Sequence, residues 1–516
     1  MSDLASNRPI RFYHQGAVRE VHDAPTTRTV LDWLREDAHC TGTKEGCNEG
    51  DCGACTVVVA QPAAAGEPGA VRGLSLNTVN ACIQFLPSLD GKALFTVEDL
   101  KTLAQGLHPV QTAMVECHGS QCGFCTPGFV MSLWNVYEQH AGASSRPTRQ
   151  QLADELSGNL CRCTGYRPIL DAGQRMFELP ARCWDTAPVV AALARLSTDP
   201  ALSYAGGADG ERFEAPRTLD ELARLRLERP GAQLLAGGTD VGLWVTKQFR
   251  ALTDILYVGG VTELKRVSES DEELYIGAGA SLETAWSLLA RHVPALTDVW
   301  LRFASPPIRH AGTLGGNVAN GSPIGDGAPV LQALDGQIEL RRGARVRRLP
   351  LHEFYLDYMK NQLEAGEFVQ GLAVPRDATK RQVRAYKISK RFDCDISAVC
   401  AGLSIELDGS QVRCVRLAFG GMAATVRRAV QAEAALLGRP WTQESVRAAQ
   451  AALGRDFSPL SDMRASDTYR LQVAANLLQR FWLETRAHDP LPISLTSVWS
   501  VMPHDPQPVP VHGVGA

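Results

Sequence analysis

Eleven of the 14 cysteines in this 516-residue chain fall between Cys40 and Cys183. A stretch so rich in thiols either cross-links itself or holds metal, and the redox compartment decides which. The N-terminus, MSDLASNRPIRFYHQG, lacks the basic-then-apolar plan of a secretory signal. A reducing, cytoplasmic setting and metal binding are therefore expected. The formal net charge of −4 argues against nucleic acid or an anionic membrane surface as a partner. No apolar run approaches the ~18 residues of a membrane span. Hydrophobic residues make up 45% of the chain, enough for several cores. Its length suggests roughly three domains.

The cysteines fall into two sets. Cys47, Cys52 and Cys55 stand in C-x4-C-x2-C order, and Cys82 follows in NACI. This is the plant-type [2Fe–2S] spacing. Four thiolates must converge on two irons, and Gly46, Gly50 and Gly53 let a tight loop curl around them. The loop's N–H groups can then point at the sulfurs. Structural zinc is the rival, although C-x4-C is a less usual zinc knuckle than C-x2-C. The second set is Cys122 and Cys125 in QCGFC with Cys161 and Cys163 in CRC. Each pair precedes an expected helix, whose N-terminal partial charge favours a negative cluster. Spacing alone leaves a four-cysteine zinc site open here; the neighbouring plant-type pattern favours a second iron–sulfur cluster. Cys40, Cys117, Cys183, Cys394, Cys400 and Cys414 read as structural thiols, the first three as small buried ones.

Patterning divides the chain further. A short strand (IRFYHQ), a capped helix (TTRTVLDWLRED) and a strand (TVVVA) surround the first set. From about 108 the pattern turns helical. Thr126 is expected to cap a helix opened by Pro127. Thr148 with Gln151 forms a capping box, and Pro168 opens another helix. The expectation is a compact four-helix bundle. The division is 1–95, 96–183, an Ala/Pro/Gly-rich linker at 184–215, then 216–378, 379–488 and a Pro-rich extended tail at 489–516. Residues 234–241 (LLAGGTDV) and 312–326 (GTLGGNVANGSPIGD) bring backbone, Thr, Ser and Asn to where phosphates could be bound. Turns in a β-rich domain would look the same. Neither is a Rossmann fingerprint: after Gly277 and Gly279, Leu282 stands where the third glycine belongs.

In combination, GCNEGDCGACTV, NACI, QCGFCTPGFVMS and GNLCRCTGYRPI resemble the iron–sulfur half of the molybdenum hydroxylases. AGGTDVG, GTLGGNVANGSPIGD, YKISKRFDCDIS and FGGMA resemble their FAD half. The resemblance spans about residues 9–485, in the arrangement of bacterial xanthine dehydrogenase small subunits. It implies a multidomain α+β fold: a β-grasp ferredoxin-like domain, a four-helix [2Fe–2S] domain, an FAD domain of the vanillyl-alcohol oxidase type and a small α+β C-terminal domain. It implies that Leu234, Leu235, Ala236, Gly237, Gly238, Thr239, Asp240, Val241, Phe303, Thr313, Leu314, Gly315, Gly316, Asn317, Asp326, Val369 and Lys387 contact FAD. Tyr358 would lie near a nicotinamide pocket. Asp240 stands where animal members carry Glu, and Cys394 where they carry an acid, in a loop near the flavin.

The activity implied is electron transfer. A molybdopterin-containing large subunit would hydroxylate purines, and electrons would pass through both clusters to FAD and NAD. The family suggests a dimer of heterodimers. No hydroxylation acid or base is expected in this chain. A subunit for aldehyde or N-heterocycle oxidation and a stand-alone NADH:acceptor reductase are the alternatives.

Overall fold

The computed structural model describes residues 7–497 apart from 65, 68, 143–144, 208–209 and 393–395. Cys394 and most of the Pro-rich tail thus lie outside the described residues. Five strands form the first sheet: β1 (Ile10–His14), β2 (Ala17–Val21), β3 (Thr56–Pro62), β4 (Leu74–Asn80) and β5 (Ala93–Phe95), in the order β2-β1-β5-β3-β4. β1 and β5 run parallel; the other pairs are antiparallel. The unbroken apolar run of β3 has a simple cause. Val57 and Val59 join a core with Phe12, Leu34 and Phe85 on one face. Val58 and Ala60 join Phe95, Trp134 and Tyr137 on the other. Both faces are covered, so the period-two alternation of a half-exposed strand is absent.

The second face of this sheet packs on the helical region. Helices cover Pro109–Glu116, Thr126–His140, Arg149–Glu155 and Arg167–Arg175. Thr148 and Gln151 form the expected capping box. The cap of the long helix is Cys125, with Thr126 as its first residue, one position earlier than the sequence suggests. Among the described residues no helix is long and apolar enough to cross a membrane.

The reading of 184–215 as a linker does not hold. Ala187–Leu196 is a helix, and Val189, Leu193 and Leu196 enter the core shared by the first sheet and the helical region. Composition hid an apolar stripe at helical spacing. β6 (Leu202–Tyr204) and β7 (Arg212–Ala215) then begin a new sheet, β6-β7-β9-β8, with β8 at Gln233–Leu235 and β9 at Asp254–Tyr257. Leu202, Tyr204 and Phe213 pack into the core of the first sheet. The Tyr204 hydroxyl donates to the carbonyls of His22 and Ala24 at 3.0 and 2.7 Å.

An antiparallel sheet follows, in the order β10-β11-β16-β12-β13. Its strands are β10 (Val267–Glu269), β11 (Glu273–Gly277), β12 (Gln337–Arg342), β13 (Arg345–Pro350) and β16 (Phe368–Pro375), with a hairpin of β14 (Tyr355–Asp357) and β15 (Lys360–Asn361) between the last two in sequence. The final unit is a four-stranded antiparallel sheet: β17 (Gln382–Ile388), β18 (Val399–Asp408), β19 (Gln411–Gly420) and β20 (Arg427–Arg428). Helices Val430–Leu436, Gln443–Asp456 and Asp467–Thr485 share one core with it.

Candidate functional site: two thiol quartets and a glycine-rich band

The loop between the helix at residues 30–37 and β3 carries Cys47, Cys52 and Cys55; Cys82 follows β4. Gly50 and Gly53 take the left-handed conformation, at φ +78° and +69°, that lets this loop curl. Gly46 serves a different purpose, because a Cβ there would meet the Cys52 sulfur at 2.7 Å. The sulfurs come in twos. Cys47 lies beside Cys52, and Cys55 beside Cys82, close enough for each thiol to shift its neighbour's titration. The Cys52 side chain pulls the Cys47 thiol down to about 5, against burial and with help from the N–H groups of Cys52, Glu49 and Asp51. The Cys82 thiol is pushed up by its neighbour Cys55, then by burial.

The second quartet has the same organisation. Cys122 pairs with Cys163 and Cys125 with Cys161, so each pair joins the loop before one helix to the loop before another. Cys122 and Cys163 are exposed, whereas Cys161 is buried. Two sulfur pairs per quartet fit a binuclear centre with two thiolates on each iron.

The quartets lie against each other. The Leu160 N–H, one residue before Cys161, donates to the Cys52 carbonyl at 3.0 Å. Of the other cysteines, Cys40 is buried beside His14, with sulfur and Nε2 3.7 Å apart. Cys400 is buried. Cys183 is exposed and Cys117 is half-buried, which corrects the expectation that both are core thiols.

The first quartet also abuts the glycine-rich loops. Gln84, two residues past Cys82, donates to the Gly237 carbonyl at 2.7 Å. A Cβ on Gly238 or Gly242 would meet the Ile83 carbonyl at 2.7 Å. Gly237 packs backbone to backbone on the second loop, where a Cβ would lie 1.7 Å from the Ala311 carbonyl. Thr313 caps the helix Leu314–Asn320, its hydroxyl accepting from the Gly316 N–H at 3.1 Å. The Gly315 N–H donates to Ala278, whose own N–H donates to Gln370 beside Val369. These contacts join the expected loops and Val369 into one band. The Phe303 carbonyl accepts from Arg309 at 3.1 Å, on the helix that ends at Ala311. Leu235 and Leu314 are buried in cores, so only their backbone could reach a bound ligand. The Asn317 amide oxygen is buried without a partner among the described residues, and a ligand donor in the cleft would satisfy it. Tyr358 is 61% exposed on the β14–β15 hairpin.

Asp326 and Lys387 close the band as a buried pair at 2.6 Å, Lys387 from β17 and Asp326 from the cap of the helix Gly327–Ala333. Ser397, which the sequence reading did not single out, accepts from Lys387 at 2.9 Å and donates to Asp326 at 2.7 Å. Lys387 is thus no free cation. Lys387→Met is expected to cost about 3–5 kcal/mol, because it strands a buried carboxylate. Urea unfolding of the purified protein measures this; adding Asp326→Asn should recover part of the loss.

Four family models match consecutive stretches: a 2Fe-2S iron-sulfur cluster binding domain at 12–84, a [2Fe-2S] binding domain at 96–174, the FAD binding domain in molybdopterin dehydrogenase at 209–377 and the CO dehydrogenase flavoprotein C-terminal domain at 384–485. The chain is 30% identical to a xanthine dehydrogenase of Drosophila pseudoobscura pseudoobscura over 513 residues, covering 88% of this chain and 38% of that one. It is 29% identical to aldehyde oxidase 2 of Cavia porcellus over 560 residues, covering 95% and 41%. It therefore spans about two fifths of the length of these relatives. A carbon monoxide dehydrogenase structure from Hydrogenophaga pseudoflava superimposes with a TM-score of 0.49 and 27% identity, over 52% of this chain and 94% of that one. On the family models and the matches over most of this chain, it carries the two [2Fe–2S] domains and the FAD-binding domains of the molybdenum hydroxylase family.

Proposed function

We propose that this chain is the electron-transfer subunit of a cytoplasmic xanthine dehydrogenase, working beside a molybdopterin-binding partner. Cys47, Cys52, Cys55 and Cys82 would hold one [2Fe–2S] cluster and Cys122, Cys125, Cys161 and Cys163 the other. The cleft lined by 234–241, 313–317, Phe303, Asp326, Val369 and Lys387 would hold FAD. Bound there, the clusters supply one-electron carriers and the flavin converts single electrons into a two-electron reduction of NAD.

One observation carries this reading: the order of the three sites. The outer quartet exposes Cys122 and Cys163 among the exposed apolar side chains Phe124, Leu160 and Tyr166, a surface suited to a partner. The inner quartet lies behind it, joined by the Leu160–Cys52 hydrogen bond. The Gln84–Gly237 bond then links the inner quartet to the flavin cleft. The residues of this chain accordingly bind, orient and insulate the carriers, while the oxidising site for substrate belongs to the partner.

The test uses the purified, cofactor-loaded chain. It should reduce an artificial dye with NADH and leave xanthine untouched. Adding the partner should produce xanthine-dependent NAD reduction. Xanthine oxidation by this polypeptide alone would overturn the assignment. The near-equal identity to an aldehyde oxidase favours a second reading, a partner that oxidises aldehydes. Assaying the complex with xanthine and with a simple aldehyde separates the two.

A further inference from the structure

The segments that carry the two quartets meet at one buried side chain. Asn159 is 2% exposed and sits two residues before Cys161. Its amide nitrogen donates to the Gly53 carbonyl and to the Thr56 hydroxyl, both at 3.1 Å. Its amide oxygen accepts from the Ser132 hydroxyl at 2.7 Å. Gly53 lies between Cys52 and Cys55, and Ser132 lies on the helix capped by Cys125. One amide therefore holds the loop of the inner quartet and the helix of the outer one, next to the segment bearing Cys161 and Cys163. Both amide hydrogens are used, so only one rotamer and one orientation satisfy the site.

Around this amide the backbones meet with no clearance. A Cβ on Gly53 would lie 2.2 Å from the Gly158 carbonyl, and one on Gly128 would lie 2.1 Å from the Gly53 carbonyl. Contact this close leaves register as the remaining freedom, and directional hydrogen bonds fix register. The Leu160–Cys52 bond sits beside the Asn159 contacts and depends on the same register.

We propose that Asn159 is the positioning residue that fixes the separation and mutual orientation of the two iron–sulfur clusters, and through them the rate at which electrons cross between them. This rests on the reading of the two quartets as cluster ligands. Asn159→Asp keeps size and the acceptor for Ser132, but places an oxygen against the Gly53 carbonyl where an N–H donated. Gly128→Ala reaches the same contact independently: alanine suits the helix, yet its Cβ must push the Gly53 loop away.

The experiment is electron paramagnetic resonance on the cofactor-loaded, fully reduced chain, together with iron analysis. When both clusters are reduced, their dipolar interaction splits each signal, and it weakens as the inverse cube of separation. The unaltered chain should show two signals with mutual splitting. Both variants should keep full iron and both signals, show an altered splitting, and pass electrons more slowly from the outer cluster to the flavin. Unchanged splitting in both variants overturns the proposal. So does loss of a cluster from Asn159→Asp with normal splitting in Gly128→Ala, which would make Asn159 a cluster-retention residue. Absence of either signal in the unaltered chain would instead fail the ligand assignment, and the proposal with it.

Discussion

Cys163→Ser is expected to remove one iron–sulfur cluster and leave the other intact. A serine hydroxyl does not ionise near neutral pH and is a poor ligand for iron, so the pair of Cys163 with Cys122 is lost. The effect should stay local. Cys163 is exposed, so its replacement opens no cavity. Cys55 and Cys82 are embedded in a different core, with Phe12, Trp33 and Phe85, whereas Cys161 belongs to the core of the helical region. Iron content should fall by half, with one paramagnetic signal gone. Electron flow from the partner should stop, while dye reduction by NADH persists because the flavin cleft is reached without the outer quartet. Survival of both signals would show that the quartet of Cys122, Cys125, Cys161 and Cys163 is wrongly composed.

Gly316→Val should cost most of the bound flavin while leaving the flavin-free fold almost unchanged. The glycines of the two loops are not equivalent. A Cβ at Gly237 would lie 1.7 Å from the Ala311 carbonyl, and one at Gly315 would lie 2.4 Å from the Ala278 side chain. Substitutions there break protein contacts whether or not flavin is bound. At Gly316 a Cβ meets only the Thr313 hydroxyl, at 3.0 Å, and otherwise enters open space. A valine there therefore collides chiefly with whatever fills the cleft. Stability of the flavin-free protein should fall by no more than about 1 kcal/mol, the cost of crowding one helix cap. Visible absorption after desalting reads the flavin. Full occupancy in the variant would move the dinucleotide site elsewhere.

The cysteine quartets were legible in sequence because coordination chemistry demands fixed ligand types at narrow spacings. Their internal pairing was not, since Cys122 meets Cys163 across 41 positions through folding alone. The segment 184–215 misled because alanine, proline and glycine dominate its composition. The apolar anchors of its helix, Val189, Leu193 and Leu196, have meaning only against a core built from other segments. Lys387 was visible as a cation beside the expected flavin, but its buried partners Asp326 and Ser397 change it from a free charge to part of a neutral clamp between the last sheet and a helix cap. Asn159 stood in plain view inside GNLCRC. Nothing local marks it, because its partners lie on a distant loop and a neighbouring helix.

The central claim is that one polypeptide carries two one-electron centres and one two-electron centre in series. Anaerobic reductive titration of the cofactor-loaded chain, followed by visible absorption and electron paramagnetic resonance, tests it most directly. The account predicts uptake of one electron at each of two spectroscopically distinct clusters and two at the flavin. A chain that takes up electrons at the flavin alone, with no paramagnetic iron signal, would contradict it.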